Sequence, residues 1–383
     1  MSATKETVLV FRSAALGDFI LAAPALRMLK QTWPQARVVL LTMQSSNKAI
    51  RDSVAQYSPK SAIPWVDFVM PHLVDDVIFF DGTSSISSLL TLRRRMKDMH
   101  IDRSVLLLDP GAPWIGRLKK IAFIRFVVGW VPVLGWRGLG SINGDRARLK
   151  ANGLLPHHVH GPMQFLKELS TPQTYKDEDI VFDLRVAPAD QTWAARWWRT
   201  AALLGQTVVA FAPGSVQPHK RWPLAKFVAL GTKLLGDQPD LRIVVVGTPS
   251  DLELGDELVS ALGLRVTNIA GKTSVGQLAA LLERCALLVG NDGGAMHLGD
   301  AMGCKVVAIV PGIEYPDSIE PWGNRRFAVR HSVPCAPCYN FTSCPLGHNK
   351  CMTELPLNTV LAKCRQQLVL NRPEQADTAG LPH

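Results

Sequence analysis

Two series of short apolar segments, separated by helical stretches, constrain the fold of this chain more than any other feature. The first series comprises VLVFR (8–12), VVLLT (38–42), DDVIFF (75–80) and SVLLLD (104–109). The second comprises TVVAFAP (207–213), RIVVVG (242–247), VTNIAG (266–271), ALLVGN (286–291) and KVVAIVP (305–311). Short runs rich in Val, Leu and Ile between helices are typical of parallel strands in βαβ units. The sequence therefore predicts an α/β fold with two doubly wound domains.

Length and composition agree with two domains. The chain has 383 residues, more than one ordinary hydrophobic core accommodates. Pro188 and Asp190 interrupt the pattern between the two series, so we predict domains at residues 1–187 and 188–383. The hydrophobic fraction of 47% and the charged fraction of 19% exclude a disordered chain.

Neither a membrane span nor a signal peptide is predicted. The most apolar window, residues 121–136, is shorter than the roughly 20 residues that cross a bilayer, and it contains Arg125 and Pro132. Arg12 and Asp18 interrupt the region that would be apolar in a signal peptide. The odd number of cysteines, seven, favours a cytosolic, reducing compartment.

The net charge of +10 suits an anionic partner, such as a nucleotide, phospholipid headgroups, nucleic acid or an anionic glycolipid. Residues 114–150 mix aromatic and basic side chains with one acid, Asp145. They include Trp114, Phe123, Phe126, Trp130 and Trp136, and the basic Arg117, Lys119, Lys120, Arg125, Arg137, Arg146, Arg148 and Lys150. For this segment, binding to an anionic membrane surface, binding to nucleic acid and a partly buried helix pair with a solvated basic face all stay open. Because no recognised nucleic-acid module occurs, we predict no nucleic-acid partner.

In open parallel sheets, ligands bind beyond the carboxyl ends of the strands, so the loops after the strands deserve scrutiny. The first such loop ends in Gly17 and Asp18. Asp18 is either the N-cap of the next helix or a carboxylate that takes a proton from a hydroxyl nucleophile. We predict that helix at residues 25–33, with Pro24 marking its late start or a kink.

Loops in the second half offer groups that suit phosphate. Gly214 and Ser215 can present backbone N–H groups and a hydroxyl to an anion, and Lys220 and Arg221 add positive charge. The alternative is a basic surface loop. After the next strand, an acidic side chain at Asp251 or Glu253 either accepts hydrogen bonds from a ribose or belongs to an exposed turn.

A strand followed by Asn-Asp-Gly-Gly and a predicted helix at residues 295–302 forms the most suggestive loop. The positive end of that helix favours phosphate, and His297 lies in its first turn. Neither a dinucleotide fingerprint nor a P-loop is present, so Asp292 and the two glycines could equally be turn residues.

Four cysteines, Cys335, Cys338, Cys344 and Cys351, follow a C-x2-C-x5-C-x6-C spacing near His348. The first pair has the spacing of a zinc site, but the rest is irregular. A structural metal and four reduced thiols in a compact loop both stay open.

These loops together resemble the heptosyltransferase family of glycosyltransferases (family 9), which extends the inner core of lipopolysaccharide. The resemblance rests on the segments LVFRSAALGDFILAAPALRMLKQTWPQARV, HHVHGPMQFLKEL, FAPGSVQPHKRWP, VVVGTPSD, GNDGGAMHLGDAMGCKVVAIVPG and CAPCYNFTSCPLGHNKCM. It implies a GT-B architecture, in which two Rossmann-like domains face each other across a cleft. The amino-terminal domain would hold the acceptor and the carboxy-terminal domain the nucleotide sugar. The final helix, at about 355–370, would pack back on the first domain.

The resemblance also implies an inverting transfer by single displacement, with Asp18 as the base and Lys220 as a diphosphate ligand. Asp292, Gly293, Gly294 and His297 would form the donor phosphate site, beside which Ser215 is a further candidate. Gly293 departs from the family pattern, because some members have a hydroxyl residue there. The implied partners are ADP-heptose, a lipid A–core acceptor and the cytoplasmic face of the inner membrane. No cofactor is obligatory.

Two other functions were compatible with the sequence. A sugar-nucleotide epimerase on the same architecture would act on the donor without an acceptor. A non-catalytic, basic, envelope-associated nucleotide-binding protein would turn over no nucleotide sugar.

Overall fold

The computed structural model describes residues 5–12, 15–43, 64–80, 85–109, 114–137 and 157–369. Within these residues, two parallel sheets of five strands each form the framework. The first sheet has the order β3-β2-β1-β4-β5, and the second has the order β10-β9-β6-β7-β8. The strands are β1 Thr7–Phe11, β2 Arg37–Met43, β3 Asp76–Phe80, β4 Arg103–Leu106, β5 Val133–Leu134, β6 Thr207–Ala212, β7 Leu241–Val245, β8 Val266–Asn268, β9 Leu287–Asn291 and β10 Val306–Ile309.

Helices connect the strands as the βαβ pattern requires. They are α1 Leu16–Thr32, α2 Ile86–Asp98, α3 Trp114–Val128, α4 Pro188–Thr200, α5 Leu224–Asp237, α6 Leu252–Leu262, α7 Val275–Leu282, α8 Gly294–Ala301, α9 Lys350–Thr353 and α10 Leu357–Val369. We call the part built on the first sheet the N-terminal half and the part built on the second sheet the C-terminal half. All nine predicted strands are present, so the predicted fold class is confirmed. The sequence pattern missed only the two-residue edge strand β5 among the described strands.

The first helix corrects the sequence prediction. It begins at Leu16 rather than near residue 25 and continues through Pro24, which lies inside it. Its residues around the proline are buried, and this packing compensates for the hydrogen bond that a proline nitrogen cannot donate. The N-cap is Ala15, so Asp18 is not the N-cap but an acid in the first turn. The positive end of the helix favours a carboxylate at that position.

The two halves meet through helices that start at the carboxyl ends of their central strands. Helix α1 packs against α8, and the hydrophobic core continues from one half to the other through Val10, Leu26 and Leu298. The two helices come close together at Gly17 of α1, where an added β-carbon would lie 2.8 Å from the ring of His297 on α8. This contact places the first turns of α1 and α8 side by side.

The domain boundary predicted between residues 187 and 188 remains a prediction. Helix α4, which begins at Pro188, packs against α7 of the C-terminal half. The preceding segment, with 3₁₀ turns at His158–His160 and Pro162–Glu168, packs against α1.

The final helix was predicted to pack back on the first domain, and this is wrong. Helix α10 packs against α5, β9 and β10. Its apolar side chains Val360, Leu361, Cys364 and Leu368 belong to the core of the C-terminal half. Arg365 adds a bidentate pair with Asp237 at the end of α5, at 2.8 and 2.9 Å. The apolar face of α10 is buried against the second sheet and α5, and this burial determines where the helix packs.

Candidate active site

Strand pairing brings a buried cation and a carboxylate together in the N-terminal half. Strands β1 and β4 are parallel neighbours with Phe11 opposite Leu106, so Arg12 and Asp109 emerge at the same edge. The Arg12 guanidinium lies 2.8 Å from the Asp109 carboxylate. It also donates to the carbonyls of Leu107, at 2.9 Å, and Asp18, at 2.5 Å. Arg12 thereby ties the end of β4 to the first turn of α1.

Asp18 lies in the first turn of α1, where α1 meets α8, and we call the space between the two sets of strand ends the recess. Solvent reaches the Asp18 side chain, but the surrounding protein disfavours the charged form. The protein around Asp18 removes part of the water that would stabilise its charge, which is the largest cause that raises its pKa, and the Asp109 carboxylate raises it further. Arg12 and His158 act in the opposite direction. A carboxyl group with a raised pKa is a better proton acceptor once it is ionised, which is the property a general base needs.

The Asp109 carboxylate behaves differently because its cation is adjacent. Burial raises its pKa, but the Arg12 charge and hydrogen bond outweigh burial, and the pKa is lowered overall. Asp109 therefore stays ionised over a wider pH range than Asp18.

A second cation–carboxylate pair lies in the C-terminal half. Strands β6 and β9 are parallel neighbours with Ala212 opposite Gly290, which brings together the loops that follow them. The Lys220 ammonium donates to the Asp292 carboxylate at 2.8 Å. Burial lowers the pKa of Lys220, but Asp292 outweighs this effect and raises it; burial likewise raises the pKa of Asp292, and Lys220 lowers it. Both groups are therefore charged at neutral pH.

Asparagine and arginine side chains hold these loops in place. The Asn291 amide donates to the Pro213 carbonyl at 2.6 Å, and its oxygen accepts from the Trp222 backbone N–H at 3.0 Å. Arg221 donates twice to the Ser215 carbonyl, at 2.9 and 2.7 Å. Lys220 lies between these anchored points, so its ammonium is held at the ends of β6 and β9.

Ser215 and Asp251 are already engaged within the protein. The Ser215 hydroxyl donates to the Asp292 carbonyl at 3.2 Å. The buried Asp251 carboxylate accepts from the Thr248 backbone N–H and hydroxyl, at 2.8 and 2.7 Å. It also packs against Gly214 and Gly247, where a β-carbon would overlap it. Asp251 therefore packs beneath the loops at Gly214 and Gly247, on the protein side, rather than facing a ribose.

Helix α8 presents its amino-terminal end to the recess. It begins at Gly294, one residue before the predicted start, with Gly293 as its N-cap. A β-carbon at Gly293 would meet no atom nearer than 3.9 Å, so a larger residue would fit there. Burial lowers the pKa of His297 to about 4. Its imidazole is therefore neutral at pH 7 and carries one N–H that can donate.

The structure adds groups that the sequence analysis did not single out. His158, from the segment before α4, lies with its Nε2 3.4 Å from the Glu314 carboxylate after β10. Its backbone N–H donates to the Ser318 carbonyl at 2.8 Å. Arg330 holds that loop by donating to the Pro311 and Glu314 carbonyls, both at 2.9 Å. The histidine-rich motif HHVH could have pointed to His158, and the position of Asp109 directly after a predicted strand could have pointed to that acid.

The cysteine segment packs against the loop that carries Lys220. Its four predicted cysteines line one cavity of about 20 Å³ with His348 and His219, the residue before Lys220. That volume is close to one water molecule. All four are free thiols. Among the described residues, no group of three His, Cys, Asp or Glu side chains is placed to hold a metal ion.

Helix α3 accounts for the first part of the basic aromatic segment, while Asp145, Arg146, Arg148 and Lys150 lie outside the described residues. Throughout the described ranges, each helix is too short or too polar to cross a bilayer.

Two parallel sheets, with a carboxylate at one set of strand ends and a lysine and a helix amino terminus at the other, place polar groups where two-domain α/β enzymes bind their ligands. Comparison with known proteins identifies the family. Glycosyltransferase family 9 (heptosyltransferase) matches residues 116–348, and the chain belongs to this family. It is a glycosyltransferase, which excludes the non-catalytic alternative and disfavours the epimerase.

Individual relatives agree with this assignment. The chain is 23% identical over 332 residues to lipopolysaccharide heptosyltransferase 2 of Escherichia coli strain K12, and the match covers 84% of this chain and 87% of that protein. It is 30% identical over 169 residues to a lipooligosaccharide heptosyltransferase 2 of Campylobacter jejuni, covering 43% of this chain and 52% of that protein.

Solved structures establish the fold as GT-B. A glycosyltransferase family 9 protein from Veillonella parvula superimposes with a TM-score of 0.70 at 20% identity, covering 97% of this chain and 99% of that one. The E. coli ADP-heptose lipopolysaccharide heptosyltransferase II gives a TM-score of 0.65 at 20% identity, covering 95% and 99%.

Proposed function

We propose that this glycosyltransferase moves a heptose from ADP-heptose to a lipopolysaccharide core acceptor by a single displacement with inversion. The observation that carries the proposal is the contact between α1 and α8, which brings Asp18 close enough to the Lys220–Asp292 pair for their charges to act on each other's pKa values. The names of the relatives, which are lipopolysaccharide and lipooligosaccharide heptosyltransferases, support the choice of sugar and acceptor.

In the proposed reaction the protein must accept a proton from the acceptor and stabilise the leaving diphosphate. An acceptor hydroxyl attacks the anomeric carbon, its proton passes to Asp18, and the bond from that carbon to the diphosphate oxygen breaks. ADP leaves with the electron pair. Lys220, the N–H groups at the start of α8 and the His297 N–H stabilise, in this proposal, the negative charge that develops on the diphosphate. The backbone at Gly293 and Gly294 completes the donor site together with Ser215, whose hydroxyl must turn from the Asp292 carbonyl to donate to a phosphate oxygen.

Asp292 acts through Lys220 in this scheme. Two anions repel each other, so the carboxylate itself is a poor phosphate ligand. Its contact with the ammonium positions Lys220 and keeps it charged. Because positive charge is supplied by the protein, the proposal includes no obligatory cofactor. Elemental analysis of the purified protein tests separately whether the cysteine cluster binds a structural metal.

The decisive experiment measures product mass. The protein is incubated with ADP-heptose and truncated lipid A–core acceptors, with other nucleotide sugars and acceptor-free mixtures in parallel. A mass increase of one heptose on the acceptor, with opposite anomeric configuration to the donor by NMR, is the expected result. Consumption of the donor without acceptor would instead indicate hydrolysis or epimerisation. Transfer from another donor alone would correct the sugar but keep the reaction class.

We also propose that the enzyme works on the cytoplasmic face of the inner membrane as a peripheral protein. The net positive charge and the amphipathic nature of the proposed acceptor support this location.

A further inference from the structure

Large apolar side chains are exposed on one side of the N-terminal half. On helices α2 and α3 and just after them, the exposed set is Ile86, Leu90, Trp114, Ile115, Leu118, Phe126 and Trp130. We call this set the α2–α3 face. Trp130 is 91% exposed and Ile86 is 76% exposed, which is unusual for residues of their size. Exposed apolar side chains concentrated on two neighbouring helices indicate an interaction surface.

The spacing shows that the exposure belongs to whole helix faces. On α3, Ile115, Leu118 and Phe126 recur at helical intervals along the outer side, whereas Ile124 and Val127 are buried on the inner side. Both faces of α3 are therefore apolar. One of them faces the core, and the other faces outward.

The outward side of α2 continues the same surface and adds charge. Ile86, Leu90 and Arg94 recur there at four-residue intervals, and α2 packs alongside α3. The face is thus built from two neighbouring helices rather than from a single stripe.

Positive charge surrounds the apolar residues. In the sequences of the two helices, Asp98 is the only acid, while Arg93, Arg94, Arg95, Lys97, Lys119 and Arg125 are exposed or half-exposed bases. The Arg93 guanidinium lies 5.2 Å from the centre of the Phe126 ring, and Arg125 lies 4.9 Å from the Trp130 ring. Cations held against aromatic rings at the edge of an apolar patch match the layered polarity of a lipid interface.

We propose that the α2–α3 face binds an anionic lipid surface, with its apolar side chains among the acyl chains and its bases at the phosphate headgroups. An acidic protein partner would supply the charge but not the apolar layer, and a nucleic acid would leave Ile86, Leu90 and Leu118 unmatched. An anionic bilayer supplies both layers.

The purpose that we assign to this surface rests on the proposed function. Binding through it would hold the recess near a lipid-anchored acceptor. Lys120, on the same helix α3, is near enough to Asp109 for that carboxylate to act on its pKa, and Asp109 acts in turn on the pKa of Asp18.

Vesicle binding tests the proposal without donor or acceptor. The full chain is sedimented with phosphatidylcholine vesicles, with or without about one third phosphatidylglycerol. We expect strong binding only to the anionic vesicles, and weaker binding at high salt. The double variant Ile115→Glu/Leu118→Glu should bind at least about tenfold more weakly. Arg94→Glu/Lys97→Glu should lose affinity by a similar factor.

Matched controls lie on the C-terminal half. Leu264→Glu changes a fully exposed leucine, and Lys233→Glu reverses an exposed base. Both should bind vesicles like the unmodified chain. Transfer to a water-soluble, deacylated acceptor should be unchanged in the α2–α3 variants, and transfer to vesicle-embedded acceptor should fall. A wrong donor or acceptor assignment would leave the vesicle result intact, so the two proposals fail separately.

Three results would overturn the proposal. The first is equal vesicle binding by the unmodified chain and the α2–α3 variants. The second is a change of Ile115→Glu/Leu118→Glu from dimer to monomer with vesicle binding unaltered, which would assign the face to a second copy of the chain. The third is salt-sensitive binding of RNA or DNA through this face in place of lipid.

Discussion

Each half of the molecule places a cation–carboxylate pair at the ends of its central strands, but the two pairs are oriented oppositely. In the N-terminal half, Arg12 is buried and Asp109 is 46% exposed. In the C-terminal half, Asp292 is buried, with 7% of its side chain exposed, and Lys220 is the more exposed member at 19%. The contact distance is 2.8 Å in both.

This difference determines what each half offers to the recess. The N-terminal half presents negative charge, from Asp109 and Asp18, and the C-terminal half presents positive charge, from Lys220 and the start of α8. A proton acceptor and an anion site need opposite surroundings, and two separate sheets can provide both within one recess.

The largest expected effect comes from the negative side. Asp18→Asn keeps the shape of the side chain but removes the proton acceptor, so kcat should fall by about 10²–10⁴. Donor affinity, measured by calorimetry with ADP, should be unchanged. Asp98→Asn, at an exposed acid on α2, serves as the control and should retain full turnover. Near-normal turnover of Asp18→Asn would remove Asp18 from the role of base.

The next effect comes from the positive side. Lys220→Met removes stabilisation of the leaving diphosphate and should lower kcat by about 10²–10³. It also leaves the buried Asp292 carboxylate unpaired, which should reduce the free energy of unfolding by about 3–5 kcal/mol. Urea unfolding and steady-state kinetics measure the two losses separately.

The double variant Lys220→Met/Asp292→Asn distinguishes structure from ligand binding. Removing both charges should restore most of the stability, because no buried carboxylate is left unpaired. Activity should stay low. Recovery of activity together with stability would show that Lys220 only balances Asp292.

A smaller effect is expected where the halves touch. In Gly17→Ala, the new β-carbon would lie 2.8 Å from the His297 ring, so either the ring shifts or α1 and α8 separate. Overpacking of this kind should cost about 1–3 kcal/mol of stability and lower kcat. Gly236→Ala, on α5 with no atom within 4 Å of the added carbon, is the control. Thermal unfolding of both variants measures the difference, and equal melting temperatures would contradict the close contact.

The smallest and most specific effect is on pH dependence. Asp18 acts in its ionised form, so activity is lost as the pH falls through its raised pKa. Asp109→Asn removes a neighbour that raises the pKa of Asp18, so the acidic limb of kcat/KM should move to lower pH. His158→Gln removes a group that lowers that pKa, so the limb should move to higher pH. Shifts in the same direction would contradict the opposed influence of the two neighbours.

Much of this arrangement was predictable because local chemistry determined it. The apolar runs predicted nine strands, and the Asn-Asp-Gly-Gly loop predicted α8 to within one residue at its start. Helix α1 was harder to place, because a proline normally ends or interrupts a helix and only burial against the core lets α1 continue through Pro24. The position of α10 depended on which sheet had a matching apolar surface, which the pattern of one helix cannot reveal.

The sequence by itself determined two parallel sheets, the polar loops after their strands and the residue types that could hold a phosphate. Only the tertiary structure decided which of these residues meet. Arg12 and Asp109 are 97 positions apart, and Lys220 and Asp292 are 72 apart. Strand order and register bring each pair together. The physical reason is that two charged side chains interact according to their distance in space. For residues this far apart in the sequence, that distance is set only when the strands pack into sheets.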